Sequence, residues 1–377
     1  MKKLVTVITV LVMVAPAAMA QEWSFSGSQR FATWYHYFDY GDRKVNGQHN
    51  DDDIDWYFQG NSRLEAKVKT DKVTGHIELS LGGSTGNESS DGRDNDVRTR
   101  RAYGVWRFTE NAWLKVGKDY SPVTELISSQ WFDSDASLFG IGEFYGKRPG
   151  GLTIGIGGLE LAFLTPSYGG GSDSGVNGVS GGDPDAYLPR LEASYKLSFE
   201  SWFIKPSAGF QWYRVEETDL SNLTGDLDVY SWVLGIATRW NIGPFFLGGQ
   251  VSYGMNEGNV RSWYTGWNPP AASSAYLKNG NDLANVYTLQ AEIIPSLIVT
   301  HYLTLEAGLG YRLDNADGAP GPSQQDGLWV VYLNALITMA PGVYLCPEVG
   351  YYELMDDRAG IEQGSFWYAG AKWQVDF

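Results

Sequence analysis

Apolar and polar residues alternate along most of this chain, and the run from Trp56 to Lys69 shows it best. Trp56, Phe58, Gly60, Ser62, Leu64, Ala66 and Val68 fall on one face. Tyr57, Gln59, Asn61, Arg63, Glu65, Lys67 and Lys69 fall on the other. A helix would space its apolar residues three and four apart, so a period of two predicts strands with one greasy and one wet face. The same alternation recurs at Tyr187–Leu197, Tyr230–Trp240, Tyr287–Val299, Leu303–Arg312, Trp329–Ile337 and Val343–Tyr351. Tight connections such as Asp71-Lys72, Asn241 to Gly243 and Ala340 to Gly342 take turns with long polar ones, such as Gly82 to Asp96, Met255 to Asp282 and Asp314 to Gly327. One face for lipid, one for water, with short turns at one end and long loops at the other, is the signature of a membrane-spanning barrel. The predicted fold is all-β: a transmembrane antiparallel up-and-down β-barrel of about 16 strands, wide enough to leave an aqueous channel.

Both ends of the chain agree with that expectation. Lys2 and Lys3, an apolar run from Leu4 to Val14 and small residues up to Met19-Ala20 read as a secretory signal peptide, residues 1–20, cleaved after Ala20. The barrel domain then covers 21–377. Its last strand ends Trp373, Val375, Phe377, with Tyr368 and Gly370 upstream, the aromatic-ended pattern read by the barrel-assembly machinery of an outer membrane.

Composition narrows the functional classes. Mean hydropathy is only −0.27, yet the chain holds 15 Trp, 23 Tyr and 16 Phe, as aromatic girdles at two membrane interfaces would require. A net charge of −16 argues against nucleic acid as a partner, because phosphate binding needs clustered cations. The acidic excess suits outer loops that face lipopolysaccharide through divalent cations. Cys346 is alone, which rules out an internal disulfide framework and cysteine metal sites and leaves no cofactor attachment motif. The four histidines, His36, His49, His76 and His301, fall on different strands and heights and form no catalytic set, so no enzyme is expected. Acid-rich loops, His49 with Asp51 to Asp53, and Asp91 with Asp94 and Asp96, lack the ordered calcium-loop spacing and read as solvated surface.

One connection breaks the pattern. Between the strand Ala112 to Lys118 and Gly150 lies a segment that carries Leu126, Ile127, Trp131, Phe132, Leu138, Phe139, Ile141, Phe144 and Tyr145 among Glu125, Asp133, Asp135 and Glu143. A loop in water has no use for so many large apolar side chains. A loop folded inward can pack them on the barrel wall and leave its carboxylates in the lumen.

From Thr99-Arg100-Arg101-Ala102-Tyr103-Gly104-Val105-Trp106-Arg107-Phe108, through Leu114 to Tyr120, to Gly142-Glu143-Phe144 with Gly146, the chain resembles the general diffusion porins of Gram-negative outer membranes. The resemblance implies a third loop folded into the pore, passive passage of small polar solutes and ions, a homotrimer and a surround of outer-membrane lipid. It also implies acidic loop groups, here Glu125, Asp133, Asp135 and Glu143, opposed to wall bases, here Arg30, Arg63, Lys67, Arg98, Arg100 and Arg190. Opposed charges of this kind set up a transverse field that favours polar solutes. Two alternatives stay open at this point. A sugar-selective channel would use lumen aromatics such as Tyr57, Tyr213, Tyr332, Tyr344, Tyr352 and Trp131. A sheath around a separate periplasmic electron carrier would need a second chain.

Overall fold

In a computed structural model the described residues are 21–41, 50–81, 97–168, 174–260, 274–316, 318, 324–356 and 360–377. The expected signal segment, His49, Asp91, Asp94 and Asp96 lie outside them. Nearly all described strands join one antiparallel wall. Its first half runs β1 Glu22–Asp39, β2 in two pieces Asp51–Phe58 and Arg63–Lys69, β3 Val73–Leu81, β4 Val97–Arg107 and β5 Ala112–Lys118. After the long connection come β6 Gly150–Ile156, β7 Leu159–Leu164 and β8, in pieces Asp183–Asp185, Arg190–Tyr195 and Leu197–Ser198. The second half is β9 Trp202–Glu216, β10 Leu227–Ile242, β11 Phe245–Met255 and β12 Val286–Thr300. It ends with β13 Leu303–Ala316, β14 Gln325–Ala340, β15 Val343–Leu354 and β16 Ser365–Asp376.

Each strand pairs with its sequence neighbour, and β16 pairs back onto β1 with Phe31 opposite Trp373 and Trp34 opposite Gly370. The sixteen strands therefore close into a barrel, which satisfies every strand edge internally, as lipid demands. Phe377 is part of the seam: Gly27 N donates to Phe377 O (2.7 Å) and Phe377 N to Gly27 O (3.0 Å).

Burial is inverted relative to a water-soluble sheet. Trp56, Leu64, Leu234, Ile293, Leu333 and Val349 are exposed, while Gln211, Gln250, Gln290, Glu306 and Glu348 are buried. The alternation thus places apolar side chains towards lipid and polar ones inward. Trp373, Val375 and Phe377 point outward, at 50%, 46% and 66% exposure. Tyr368 is on the other phase, fully buried inside the barrel, and Gly370 sits against Trp34.

Two local departures matter. The strand expected to run unbroken from Trp56 to Lys69 is interrupted at Gln59 to Ser62, where Ser62 turns inward and accepts from Arg30 N (3.0 Å). On β4 the pairing slips between Glu78–Arg101 and Leu79–Thr99, a bulge with Arg100 as its extra residue. The connection after β11 also carries a small hairpin of its own, Tyr276–Asn279 with Asp282–Ala284.

The seam yields a direct test. A Cβ on Gly370 would stand 2.9 Å from the backbone of Trp34 and closer still to Thr33 O. Gly370→Ala should therefore destabilise the closed barrel by about 1–3 kcal/mol, read as a lower urea midpoint for loss of the heat-resistant band on a gel.

Candidate pore constriction

The connection from Asp119 to Pro149 turns into the barrel and lies along the inner wall. Its outbound limb is tied first to β8 and β9, where Val123 N donates to Glu192 Oε2 (3.2 Å) and Lys205 Nζ to Thr124 O (2.8 Å). It then crosses to β13 and β15. Ser129 N donates to Glu306 (2.7 Å), and Trp131 N and Phe132 N donate to Glu348 (2.7 and 3.0 Å). The tip, Phe132–Asp135, lies over β16, β1 and the break in β2, where Asn61 Nδ2 donates to Ser134 O (2.8 Å). The return limb is held on β13 by Arg312 Nη1 at Gly140 O (3.2 Å) and on β12 by Gln290, which accepts from Gly142 N (3.3 Å). On β11 Gln250 accepts from Phe144 N (3.3 Å), and on β8 Arg190 Nη2 donates to Gly146 O (3.2 Å).

The loop's apolar residues form the underside, as their number in the sequence predicts. Phe132 stacks on Tyr368 with ring centres 3.9 Å apart and meets Trp34 edge-on. Leu138 and Ile141 are buried in the same cluster, against Ile294, Leu328 and Val330. Asp133, Ser134, Asp135, Ser137 and Leu138 all have positive φ. A non-glycine residue there costs about 1–3 kcal/mol, so the tip keeps this path only because the wall holds it. At Gly142, φ 118°, the chain presses so close to the wall that a Cβ would lie 2.5 Å from Ala291 O.

The expected charged residues separate into three groups. Arg63, Lys67, Arg98 and Arg100 stand on inward or bulge positions of β2 and β4, away from the wall that the loop covers. Arg30 and Arg190 do not line the lumen. Arg30 is buried beneath the tip and paired with Asp135, and Arg190, 1% exposed, is bound to Glu192 (3.1 Å) and to loop carbonyls. Of the acids, Glu125 is paired with Lys196 (2.7 Å) and Lys205 (3.0 Å), and Asp135 with Arg30 and Lys372 (3.0 Å). Asp133 is half-buried at the tip. Glu143 is not a lumen carboxylate: it is fully buried, and its Oε2 accepts from Ile127 N (2.8 Å) and Ser128 N (3.0 Å), joining the two limbs.

The wall facing the loop is cationic. Glu78 is shared by Arg100 (2.5 Å), Arg63 (3.5 Å) and Arg101 (3.6 Å), and Asp119 by Arg101 and Lys115 (both 2.7 Å). Lys67 pairs with Glu65 (2.8 Å). With Arg98, six cations in this cluster stand against three carboxylates among the described residues. Sequence phase misses Arg101, because simple alternation puts neighbours on opposite faces and only the bulge turns both arginines inward. Tyrosines interleave with the cations: the Arg101 guanidinium is 5.3 Å from the rings of both Tyr103 and Tyr120, and Arg148 is 5.2 Å from Tyr120. Glu65, His76 and Glu78 offer ligand atoms within 4.8 Å of one another. Both carboxylates already serve the cations around them, so the cluster works as the anchor of the cationic wall.

Pairing decides the state of the loop acids. Burial opposes ionisation of Asp135, but Lys372 and Arg30 outweigh it and hold the carboxyl below its ordinary range. Asp119 is likewise lowered, against burial, by Lys115 and Arg101, and Glu125 by Lys205 and Lys196. Glu143 goes the other way, raised well above the carboxylate range by burial and then by neighbouring Glu292. The aromatics that a sugar track would need are mostly covered: Tyr213, Tyr332 and Tyr352 are buried, and the hydroxyls of Tyr332 and Tyr352 hydrogen-bond loop side chains.

Solved structures of similar fold are outer-membrane proteins. The chain is similar to the outer membrane channel DcaP of Acinetobacter baumannii, with 17% identity and TM-score 0.69 over 95% of this chain and 97% of that one. It is similar to an anion-selective porin from Comamonas acidovorans, with 12% identity and TM-score 0.59 over 95% and 100%. Salmonella typhi OmpF, solved in complex with daunomycin, matches at 13% identity and TM-score 0.57 over 94% and 97%. No family model and no curated protein matches the chain. At these identities the likeness is one of fold.

Asp135 gives the sharpest test of loop seating. Asp135→Asn leaves Lys372, almost fully buried, beside Arg30 with no counter-charge, and should weaken tip seating by about 3 kcal/mol. Single-channel conductance should rise. The wild type should show the same loss only in acid: a lowered carboxyl stabilises fully above its ordinary value of about 3.9 and loses that contribution as pH falls through the lowered one.

Proposed function

We propose that this chain is an outer-membrane diffusion channel for small hydrophilic solutes and ions, with a preference for anions. The observation that carries the reading is the division of the lumen: a loop seated on one wall faces a cluster on the opposite wall in which, among the described residues, six cations meet the three carboxylates Glu65, Glu78 and Asp119. On the covered wall and loop, Asp135 and Glu125 are matched by Arg30, Lys372, Lys196 and Lys205. The uncompensated charge in the passage is therefore positive. In a narrow passage with low-dielectric walls such a field attracts anions and orders water against apolar solutes. The net charge of −16 belongs to the whole chain, outer loops included, and does not govern permeation.

The same reading carries the expected route and surroundings. A cleaved signal peptide exports the chain, the barrel-assembly machinery reads the outward Trp373, Val375 and Phe377, and outer-membrane lipid and lipopolysaccharide surround the barrel. Trp23, Phe25, Phe31, Trp56 and Phe58 are exposed on the outer face of β1 and β2; this is the surface we assign to contact within a homotrimer. The reading is of a channel and not of an enzyme.

Reversal potential in a KCl gradient tests it. The wild type should favour chloride, and Arg63→Gln, Arg100→Gln and Arg101→Gln combined should move the potential towards cation preference. A channel that is cation-selective from the outset would contradict the assignment.

A further inference from the structure

Three carboxyl groups lie beneath the return limb of the loop with too few partners. Glu143, Glu257 and Glu292 are buried, and each has one carboxylate oxygen with no hydrogen-bond partner among the described residues. Two glutamines link them to the loop. Gln290 donates to Glu257 and accepts from Gly142 N (3.3 Å). Gln250 donates to Glu292 (2.9 Å) and accepts from Phe144 N (3.3 Å). Gly142 packs directly on Glu292, since a Cβ there would lie 2.8 Å from that of Glu292. Glu257 belongs to the short turn Glu257–Asn259 after β11, which is fully buried in the structure.

Charge around the trio favours protons. From β13, Glu306 and Asp314 face it, and Tyr332 on β14 donates its hydroxyl to Glu306 (2.7 Å). Among the described residues Arg312 bears on Glu257 and is bound to Asp314 (2.9 Å) and to Gly140 O (3.2 Å), and Arg239 bears on Glu306. From the outbound limb, the backbone N–H groups of Ile127 and Ser128 reach Glu143, and Glu125 O accepts from Gln250 (3.1 Å).

We propose that Glu143, Glu257 and Glu292 form a proton-held latch, in which neutral carboxyls let the return limb seat against the β11–β12 wall and loss of their protons frees that limb and widens the passage. This rests on the channel reading above and names the regulation of the same site. Ionising the trio places buried negative charges beside others: Glu143 faces Glu292, and Glu257 faces Asp314. Repulsion and the cost of burying charge then act together to lift the limb. Burial raises Glu257 to about 8, and Arg312 offsets only part of that. Burial also raises Glu143, with Glu292 adding to it. The sign follows: a raised carboxyl carries no penalty at low pH, and seating weakens as pH climbs towards the raised value.

The test is planar-bilayer recording of the purified full chain from about pH 6 to about pH 9, wild type against Glu257→Gln with Glu292→Gln. The latch requires conductance and open-channel noise of the wild type to rise across that range, and the rise to be lost in the double variant. A flat wild-type profile, or an equal rise in the variant, overturns it. Trypsin supplies a second readout on unaltered protein, because Lys147 and Arg148 end the return limb. Cleavage there, relative to a soluble reference peptide, should increase at the alkaline end, and cleavage independent of pH overturns the latch even if the variant does not insert. Folded protein that conducts at no pH would defeat the channel reading instead, and the cleavage arm still decides the latch.

Discussion

A stretch of irregular backbone at membrane depth must find a hydrogen-bond partner for each of its peptide groups, and this requirement organises the structure. Lipid supplies none, so non-regular chain is tolerated there only against protein or water. The inner wall of β8 to β16 meets the need with side chains: Glu192, Gln250, Gln290, Glu306 and Glu348 accept from loop N–H groups, and Lys205, Arg190, Arg312 and Asn334 donate to its carbonyls. Each contact to a charged group contributes roughly 1.5–3 kcal/mol. Together they outweigh a tip that places five non-glycine residues at positive φ.

The charges of the lumen follow from the same arrangement. The covered wall uses its ionic groups to hold the loop, which neutralises them in pairs. The facing wall, from Arg63 on β2 to β5, meets the loop where it begins, at Asp119. Its guanidinium groups crowd one another around Glu78 and Asp119, and like charges brought together must be supported by neighbours that they attract. Tyr103 and Tyr120 provide some of that support through their ring faces. The field proposed across the passage is thus a consequence of where the loop lies.

The strands were legible because period two is a geometric property of the chain and survives any tertiary context. The inward loop was legible too, since Trp131, Phe132, Leu138 and Ile141 needed a surface to pack on. Individual roles within it were not. Alternation reports which side of the wall a residue faces and nothing of what covers it, so Arg30, Arg190 and Glu143 read as lumen charges when they are buried under or within the loop. Tyr368 read as part of the terminal insertion pattern, yet its inward phase makes it the floor under Phe132. Arg101 was hidden by the bulge at Arg100, and the break at Gln59 to Ser62 by the assumption of one unbroken strand. Both irregularities sit beside the constriction, where the wall bends to receive the loop or to aim a charge.

The central claim is the seating of the loop tip against β2. It is tested most directly by Asn61→Cys with Ser134→Cys, in a background where Cys346 is serine. The Asn61 side chain touches the Ser134 carbonyl at 2.8 Å, so the pair should oxidise to a disulfide in the folded barrel and leave conductance largely intact. Failure to cross-link, with Ser134→Cys instead labelled by a bulky reagent that cannot enter the barrel, would place the loop outside and contradict the account.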